Sequence, residues 1–137
     1  MSGAPSLRSG YRRWFLVDGV VTGANAVAYL ALHRQLSDLL GSAPTLYAVA
    51  GAILAIIAVG LLVVAFSRRR PRLLPEVLAV VNLLWSAASL VVALANPFQL
   101  NGWGVGWTGV QGVIVLAFAV LQLRALRRSE PRLETRT

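Results

Sequence analysis

The chain has 137 residues, of which 57% are hydrophobic and 13% charged, and its formal net charge is +8. It has no cysteine and no lysine, which excludes disulfides, thiolate metal sites and a lysine Schiff base to retinal or pyridoxal phosphate. The one histidine, His33, cannot by itself build a bis-histidine haem or a three-ligand zinc site, so we expect no metal and no cofactor.

Four long apolar runs dominate the chain, at residues 14–32, 46–66, 77–95 and 107–123. Each is about as long as a helix needs to cross a hydrocarbon core of about 30 Å at about 1.5 Å per residue. Runs this continuous are typical of membrane helices rather than of alternating barrel strands. We therefore predict an all-α integral membrane four-helix bundle, with a tail over 1–13, one transmembrane domain over 14–126 and a basic tail over 127–137.

The arginines are distributed unevenly. Twelve of the thirteen precede the first run, lie between the second and third, or follow the fourth, and Arg34 is the exception. Arginines that flank membrane helices stay in the cytoplasm, so we expect a multi-pass plasma-membrane protein with both termini and the middle loop inside. The basic clusters can also attract anionic lipid headgroups. This distribution explains the charge without a nucleic-acid partner.

The first run carries a stripe of polar residues: Asp18, Thr22, Asn25 and Tyr29. Their spacing of i, i+4, i+7 and i+11 places them within a sector of about 60° on a helix. Polar groups prefer the interior of a bundle to lipid, so the stripe is predicted to face inward. Beside it, Gly19 and Gly23 form a small-residue face that seats either a neighbouring helix of the bundle or a dimer partner.

Asp18 is the one acid well inside an apolar run, where an isolated charge is costly. One interpretation pairs it with an arginine of similar depth, namely Arg12, Arg13 or Arg124. The other makes it a protonatable or cation-binding site that faces amides and hydroxyls of the third and fourth runs. The sequence leaves both open.

The third run repeats the spacing of the first, with Asn82, Ser86 and Ser89, and the fourth carries Gln111 and Gln122 on one face. Trp85 is expected to be a packed core residue whose indole N–H needs an acceptor. The second run has almost no polar side chain, so we place it mostly against lipid. Residues 33–45 and 96–106 are predicted as loops.

Aromatic residues near the ends of the runs are predicted to form interfacial belts, Tyr11 and Trp14 on one side and Tyr47, Trp103 and Trp107 on the other. The register shared by the first and third runs indicates either a duplicated two-helix hairpin or the common pattern of membrane helices.

The stretch from Asp18 to Leu30, DGVVTGANAVAYL, resembles the first helix of small four-helix bacterial membrane proteins of unassigned activity. The layout of two hairpins with both ends inside is similar to that of the DoxX-like group. The resemblance implies a fold and a membrane location, and no activity. A thiol-linked role would need a cysteine, which this chain lacks.

These observations favour a non-enzymatic membrane component that acts through helix packing within an oligomer or a larger complex. The alternative is a small channel or proton-coupled transporter that uses the polar stripe, and a lipid-modifying enzyme is the third possibility. A transporter should connect the stripe to water at both ends. Residues that hold helices together should instead satisfy one another in a dry interior.

Overall fold

The computed structural model describes residues 4–67 and 73–128, with side chains from Tyr11 onward. In these residues it has five helices: α1 (Ala4–Ala31), α2 (His33–Leu40), α3 (Pro44–Phe66), α4 (Leu73–Ala95) and α5 (Gly102–Arg128). The four long helices are each long and apolar enough to cross a membrane. The predicted all-α, four-helix membrane bundle is therefore confirmed.

The long helices extend beyond the predicted runs, because the polar residues that end an apolar run do not end a helix. Residues 4–13, predicted as a tail, are helical, and the glycines at 102, 104 and 106, predicted in a loop, belong to the first turns of α5. Asn101 caps this helix, since its Oδ1 accepts a hydrogen bond of 3.0 Å from the backbone N–H of Gly104.

The predicted loop at 33–45 contains the short helix α2, which sequence analysis missed. Its inward side carries Leu36 and Leu40, which pack into the core of the bundle. The helix ends at Gly41, whose φ of +90° suits glycine, and Pro44 opens α3 at a position where its missing N–H costs nothing. The two turns fix α2 across the end of the bundle.

The helices pack as two hairpins, α1 along α3 and α4 along α5, with fewer contacts between the hairpins. Gly19 and Gly23 of α1 lie against α3. A Cβ on Gly19 would come within 2.8 Å of Leu62 Cδ2, and one on Gly23 would lie 3.7 Å from Ala58 Cβ. The small-residue face therefore contacts a helix of the same bundle.

The second run, placed mostly against lipid, also packs along one face. The corresponding helix α3 buries a full face, made up of Tyr47, Gly51, Leu54, Ile57, Ala58, Leu61 and Val64. Lipid tails and apolar helix faces accept the same residue types, so the lack of polar side chains does not tell a packed face from an exposed one.

Two apolar clusters fill the bundle. The first contains Tyr11, Phe15, Ile57, Leu61, Val64, Leu78 and Leu126. It joins the start of α1, the start of α4 and the ends of α3 and α5. We call this end of the bundle the terminal end. The second contains Ala26, Tyr29, Leu40, Tyr47, Leu54 and Leu100, at the opposite or loop end.

The aromatic belts are only partly as predicted. Tyr11 and Tyr47 are buried members of the two clusters and are wrongly assigned to the surface. Trp103 is 78% exposed, as a belt residue would be, and the Arg13 guanidinium lies over the Trp14 ring at 5.4 Å. Tyrosine suits both an interface and a core with a local acceptor, and Tyr47 finds one in the Gly41 carbonyl at 2.8 Å.

The two hairpins are joined at the loop end through backbone groups. The backbone N–H of Asn101 donates to the Leu40 carbonyl at 2.9 Å, and its side-chain amide donates to the Leu39 carbonyl at 2.8 Å. Gly41 and Leu100 also form an isolated antiparallel bridge. The end of α2 is therefore fastened to the start of α5.

Candidate functional site

A cluster of four polar side chains lies in the terminal half of the bundle: Asp18, Thr22, Asn82 and Gln122. We call it the Asp18 cluster. Asn82 Nδ2 and Gln122 Nε2 each donate to Asp18 Oδ2 at 2.6 Å, and Thr22 Oγ1 donates to Asp18 Oδ1 at 2.8 Å. The second hydrogen of Asn82 Nδ2 is directed to Gln122 Oε1, 3.1 Å away. The cluster thus joins α1, α4 and α5 through one carboxyl group.

The Asp18 cluster is shielded from the surroundings of the bundle. Asp18 is 1% exposed, Gln122 0%, Asn82 3% and Thr22 8%. Phe15 and Leu61, both fully buried, belong to the apolar cluster at the same end. Groups shielded in this way cannot hydrogen-bond to water. The four side chains therefore depend on one another for hydrogen-bond partners.

Asp18 does not pair with an arginine in the described part of the chain. Its three donors are a hydroxyl and two amides, all uncharged, and no ion pair joins it to Arg12, Arg13 or Arg124. The predicted arginine pairing is therefore replaced by neutral donors. The basic segment at 68–72 and the arginines at 132 and 136 lie outside the described residues.

The geometry accommodates the carboxyl in either protonation state. Three neutral donors can stabilise a negative charge on Asp18. If the carboxyl carries a proton on Oδ1, the Thr22 hydroxyl can rotate and accept a hydrogen bond from it, since a hydroxyl both donates and accepts. Asp18 Oδ2 keeps its two amide donors in both cases.

The remaining residues of the predicted stripe do not join this cluster. Ser86 Oγ donates to the Gly112 carbonyl at 2.7 Å, which ties α4 to α5 one level further along. Asn25 is half-buried and takes part in no hydrogen bond among the described residues. The Tyr29 hydroxyl accepts a hydrogen bond of 2.9 Å from Trp107 Nε1.

Tyr29, Ser89 and Gln111 line a cavity of about 210 Å³ in the loop half of the bundle, between α1, α3, α4 and α5. The polar stripe is therefore divided between a hydrogen-bonded cluster in one half and a cavity wall in the other. Sequence analysis missed Trp107 as a partner of Tyr29. The signal was available, because Trp107 and Gln111 are four residues apart and share a helix face.

Trp85 also lines this cavity, and its indole N–H has no acceptor among the described residues, contrary to the prediction for a packed core tryptophan. Within those same residues no group of three or more His, Asp or Glu side chains could hold a metal ion. The described residues thus offer a buried carboxyl held by two amides and a hydroxyl in one half of the bundle, and amide, hydroxyl and indole groups on a cavity wall in the other.

Comparison with family models, curated proteins and solved structures returned no match to this chain.

Proposed function

We propose that this multi-pass membrane protein is a non-enzymatic component that acts through helix packing, within an oligomer or a larger membrane complex. The observation that supports the packing role is that the side chains of the Asp18 cluster are hydrogen-bonded to one another. All its interhelical bonds run between shielded groups of α1, α4 and α5, as expected for residues that hold helices together.

The outward surface of the bundle is suited to lipid or to other membrane helices. Large apolar side chains such as Ile56, Leu84 and Leu94 are 74%, 64% and 88% exposed. In a bilayer this surface is available for contacts with further copies or with partner subunits. Single-molecule photobleaching of labelled protein in lipid vesicles would count the copies, and we expect two or more per assembly.

The arginine distribution supports a plasma-membrane location with the terminal end in the cytoplasm. In that orientation the basic segments face the leaflet that carries anionic lipids, and each exposed arginine adds about 1 kcal/mol of attraction near the surface.

A small proton-coupled transporter is the second candidate, and one observation favours it. Asp18 is a carboxyl inside a membrane helix whose described partners are all neutral, and the Thr22 hydroxyl can adapt to a proton on it. Intramembrane carboxyls with this freedom occur in proton relays.

Proton flux separates the two candidates. Purified protein is reconstituted into vesicles that contain a pH-sensitive dye, a pH gradient is imposed, and wild type, Asp18→Asn and empty vesicles are compared at equal amounts of folded protein. For a packing component we expect the gradient to decay at the same rate in all three. A faster decay with wild type that Asp18→Asn abolishes would establish transport and overturn the proposal.

A further inference from the structure

The cavity in the loop half of the bundle has a wall rich in aromatic residues. Of its lining residues, Tyr29, Tyr47, Trp85, Phe98 and Trp107 carry rings, contributed by four helices and by the segment that precedes α5. Flat apolar surfaces of this kind favour a ligand that is itself flat and apolar. At about 210 Å³ the cavity is large enough for a ring rather than for a single water molecule.

Two buried N–H donors on this wall, Trp85 Nε1 and Gln111 Nε2, meet no acceptor with full hydrogen-bond geometry among the described residues. The nearest candidate for Gln111 is the Tyr29 hydroxyl, which already accepts from Trp107. Gln111 is 8% exposed, so its amide cannot rely on the surroundings of the bundle. The great majority of buried donors in proteins are paired, and on a cavity wall a bound molecule can supply the missing partner. Because both orphaned groups are donors, the ligand must present an acceptor.

The other hydrogen-bonding aromatic side chains around the cavity are already paired. Trp107 Nε1 donates to the Tyr29 hydroxyl at 2.9 Å, and the Tyr47 hydroxyl donates to the Gly41 carbonyl at 2.8 Å. Among the N–H and O–H groups of the aromatic lining residues discussed here, Trp85 Nε1 is therefore the one without an acceptor.

The two donors lie deep in the membrane span. Trp85 precedes the end of α4 at Ala95, and Gln111 follows the start of α5 at Gly102, by nine or ten residues each. At about 1.5 Å per residue this is about 14 Å from the helix ends, in the hydrocarbon interior. A phospholipid ester carbonyl normally lies nearer the bilayer surface, so a molecule dissolved in the hydrocarbon fits the depth better.

We propose that this cavity binds a flat, apolar molecule that carries a carbonyl oxygen and reaches the site from the bilayer interior. The carbonyl accepts hydrogen bonds from Gln111 Nε2 and Trp85 Nε1, and the ring packs against the aromatic wall. The site is separate from the Asp18 cluster, and the proposal stands whether the bundle acts as a packing component or as a transporter.

The test uses two probes of nearly the same shape. Benzophenone carries a ketone and labels nearby C–H groups on illumination, whereas diphenylmethane has a methylene in place of the carbonyl. The full chain in lipid nanodiscs is titrated with benzophenone, the labelled peptides are identified by mass spectrometry, and diphenylmethane is added as the competitor.

We expect saturable labelling of peptides that line the cavity and about tenfold tighter binding of benzophenone than of diphenylmethane, as for one to two retained hydrogen bonds. Gln111→Leu and Trp85→Phe should each reduce this ratio towards one. Asn25→Leu replaces a half-buried amide outside the cavity wall and should leave the ratio unchanged.

Two outcomes would overturn the proposal. One is equal affinity of wild type for the two probes, and the other is labelling that falls outside the cavity. Neither depends on the folding of a variant, and neither depends on whether the vesicles of the flux experiment leak protons.

Nanodiscs made of ether-linked phospholipid, which has no ester carbonyl, distinguish the sources of the acceptor. An unchanged dissociation constant supports a molecule dissolved in the bilayer interior. A dissociation constant several-fold lower than in ester-linked nanodiscs would show competition by phospholipid esters. The phospholipid, and not a dissolved molecule, would then be the natural ligand of the two donors.

Discussion

At the scale of single residues, Asp18 is the acceptor on which three other side chains depend. An asparagine at this position is nearly isosteric. Its oxygen can take the place of Oδ2 and keep both amide donors, and its amide nitrogen can donate to a Thr22 hydroxyl that has rotated to accept.

We therefore expect Asp18→Asn to change the free energy of unfolding by less than about 1 kcal/mol, and Asp18→Ala to lower it by about 2 kcal/mol, because the alanine leaves two amide donors unsatisfied. Denaturant titration in mixed micelles measures both, with Asn25→Ala as the control. A loss with Asp18→Asn as large as with Asp18→Ala would mean that the carboxylate charge itself holds the bundle together.

Asn82 and Asn25 allow a second comparison, because one amide is hydrogen-bonded and the other is not. Asn82→Leu removes the bonds from Nδ2 to Asp18 and Gln122 and should cost on the order of 1 kcal/mol. Asn25→Leu should cost nothing measurable in the same titration. A rise in stability for Asn82→Leu would contradict its role between the helices.

The helical spacing of polar residues anticipated part of this arrangement. It predicted that the stripe faces inward, and one of the two interpretations of Asp18 had it face amides and hydroxyls of the third and fourth runs. Asn82 and Gln122 are in direct contact with it. The spacing could not distinguish Asn25 from Asn82, since both sit on the same kind of stripe. Which amide finds a partner depends on the rotation of neighbouring helices, and this is set by apolar packing that the polar pattern does not record.

At the scale of helices, the backbone of α5 comes close to the end of α2 at Gly104. A Cβ at this position would overlap the Leu40 carbonyl oxygen and would lie 2.9 Å from Leu100 Cβ. Gly106, in the same helix, has nothing within 4 Å of its Cβ position.

Gly104→Ala should therefore lower the free energy of unfolding by about 1 to 3 kcal/mol through overpacking against backbone. Gly106→Ala, the matched control, should be neutral or raise stability by up to about 1 kcal/mol, because alanine is the better helix former. Thermal unfolding in detergent followed by circular dichroism measures both. Equal effects of the two substitutions would show that the contact with Leu40 does not constrain α5.

The positions of the long helices were predictable from hydropathy. Which helices pack against each other was not. The runs located α1, α3, α4 and α5, since only an apolar segment of this length spans a bilayer. The short helix α2 was missed because a polar stretch of eight residues between two apolar runs resembles a loop, although Leu36 and Leu40 repeat at the helical spacing of four. The sequence did not show which face of α3 packs in the bundle, because an apolar face against α1 has the same composition as one against lipid.

At the scale of the whole molecule, the helices bring the start of α1, the end of α3 and the end of α5 to one end of the bundle. The arginine asymmetry predicts that this end faces the cytoplasm. A reporter fused after Thr137, or inserted between residues 68 and 72, should read out as cytoplasmic. The matched insertion after Ser42, at the loop end, should read out on the opposite side. A reversed pattern would overturn the orientation.

The hydrogen bonds of the Asp18 cluster join segments of the chain that are synthesised at different times. The two interhelical donors of Asp18 belong to residues 64 and 104 positions further along the chain. At about 5 to 20 residues per second, roughly 5 to 20 s pass between the translation of Asp18 and that of Gln122. Until residue 82 is made, the carboxyl of the nascent first hairpin has neither interhelical partner, and until residue 122 is made it has only Asn82. A chain that stops before α5 therefore leaves the Asp18 carboxyl with Thr22 and Asn82 but without the Gln122 amide.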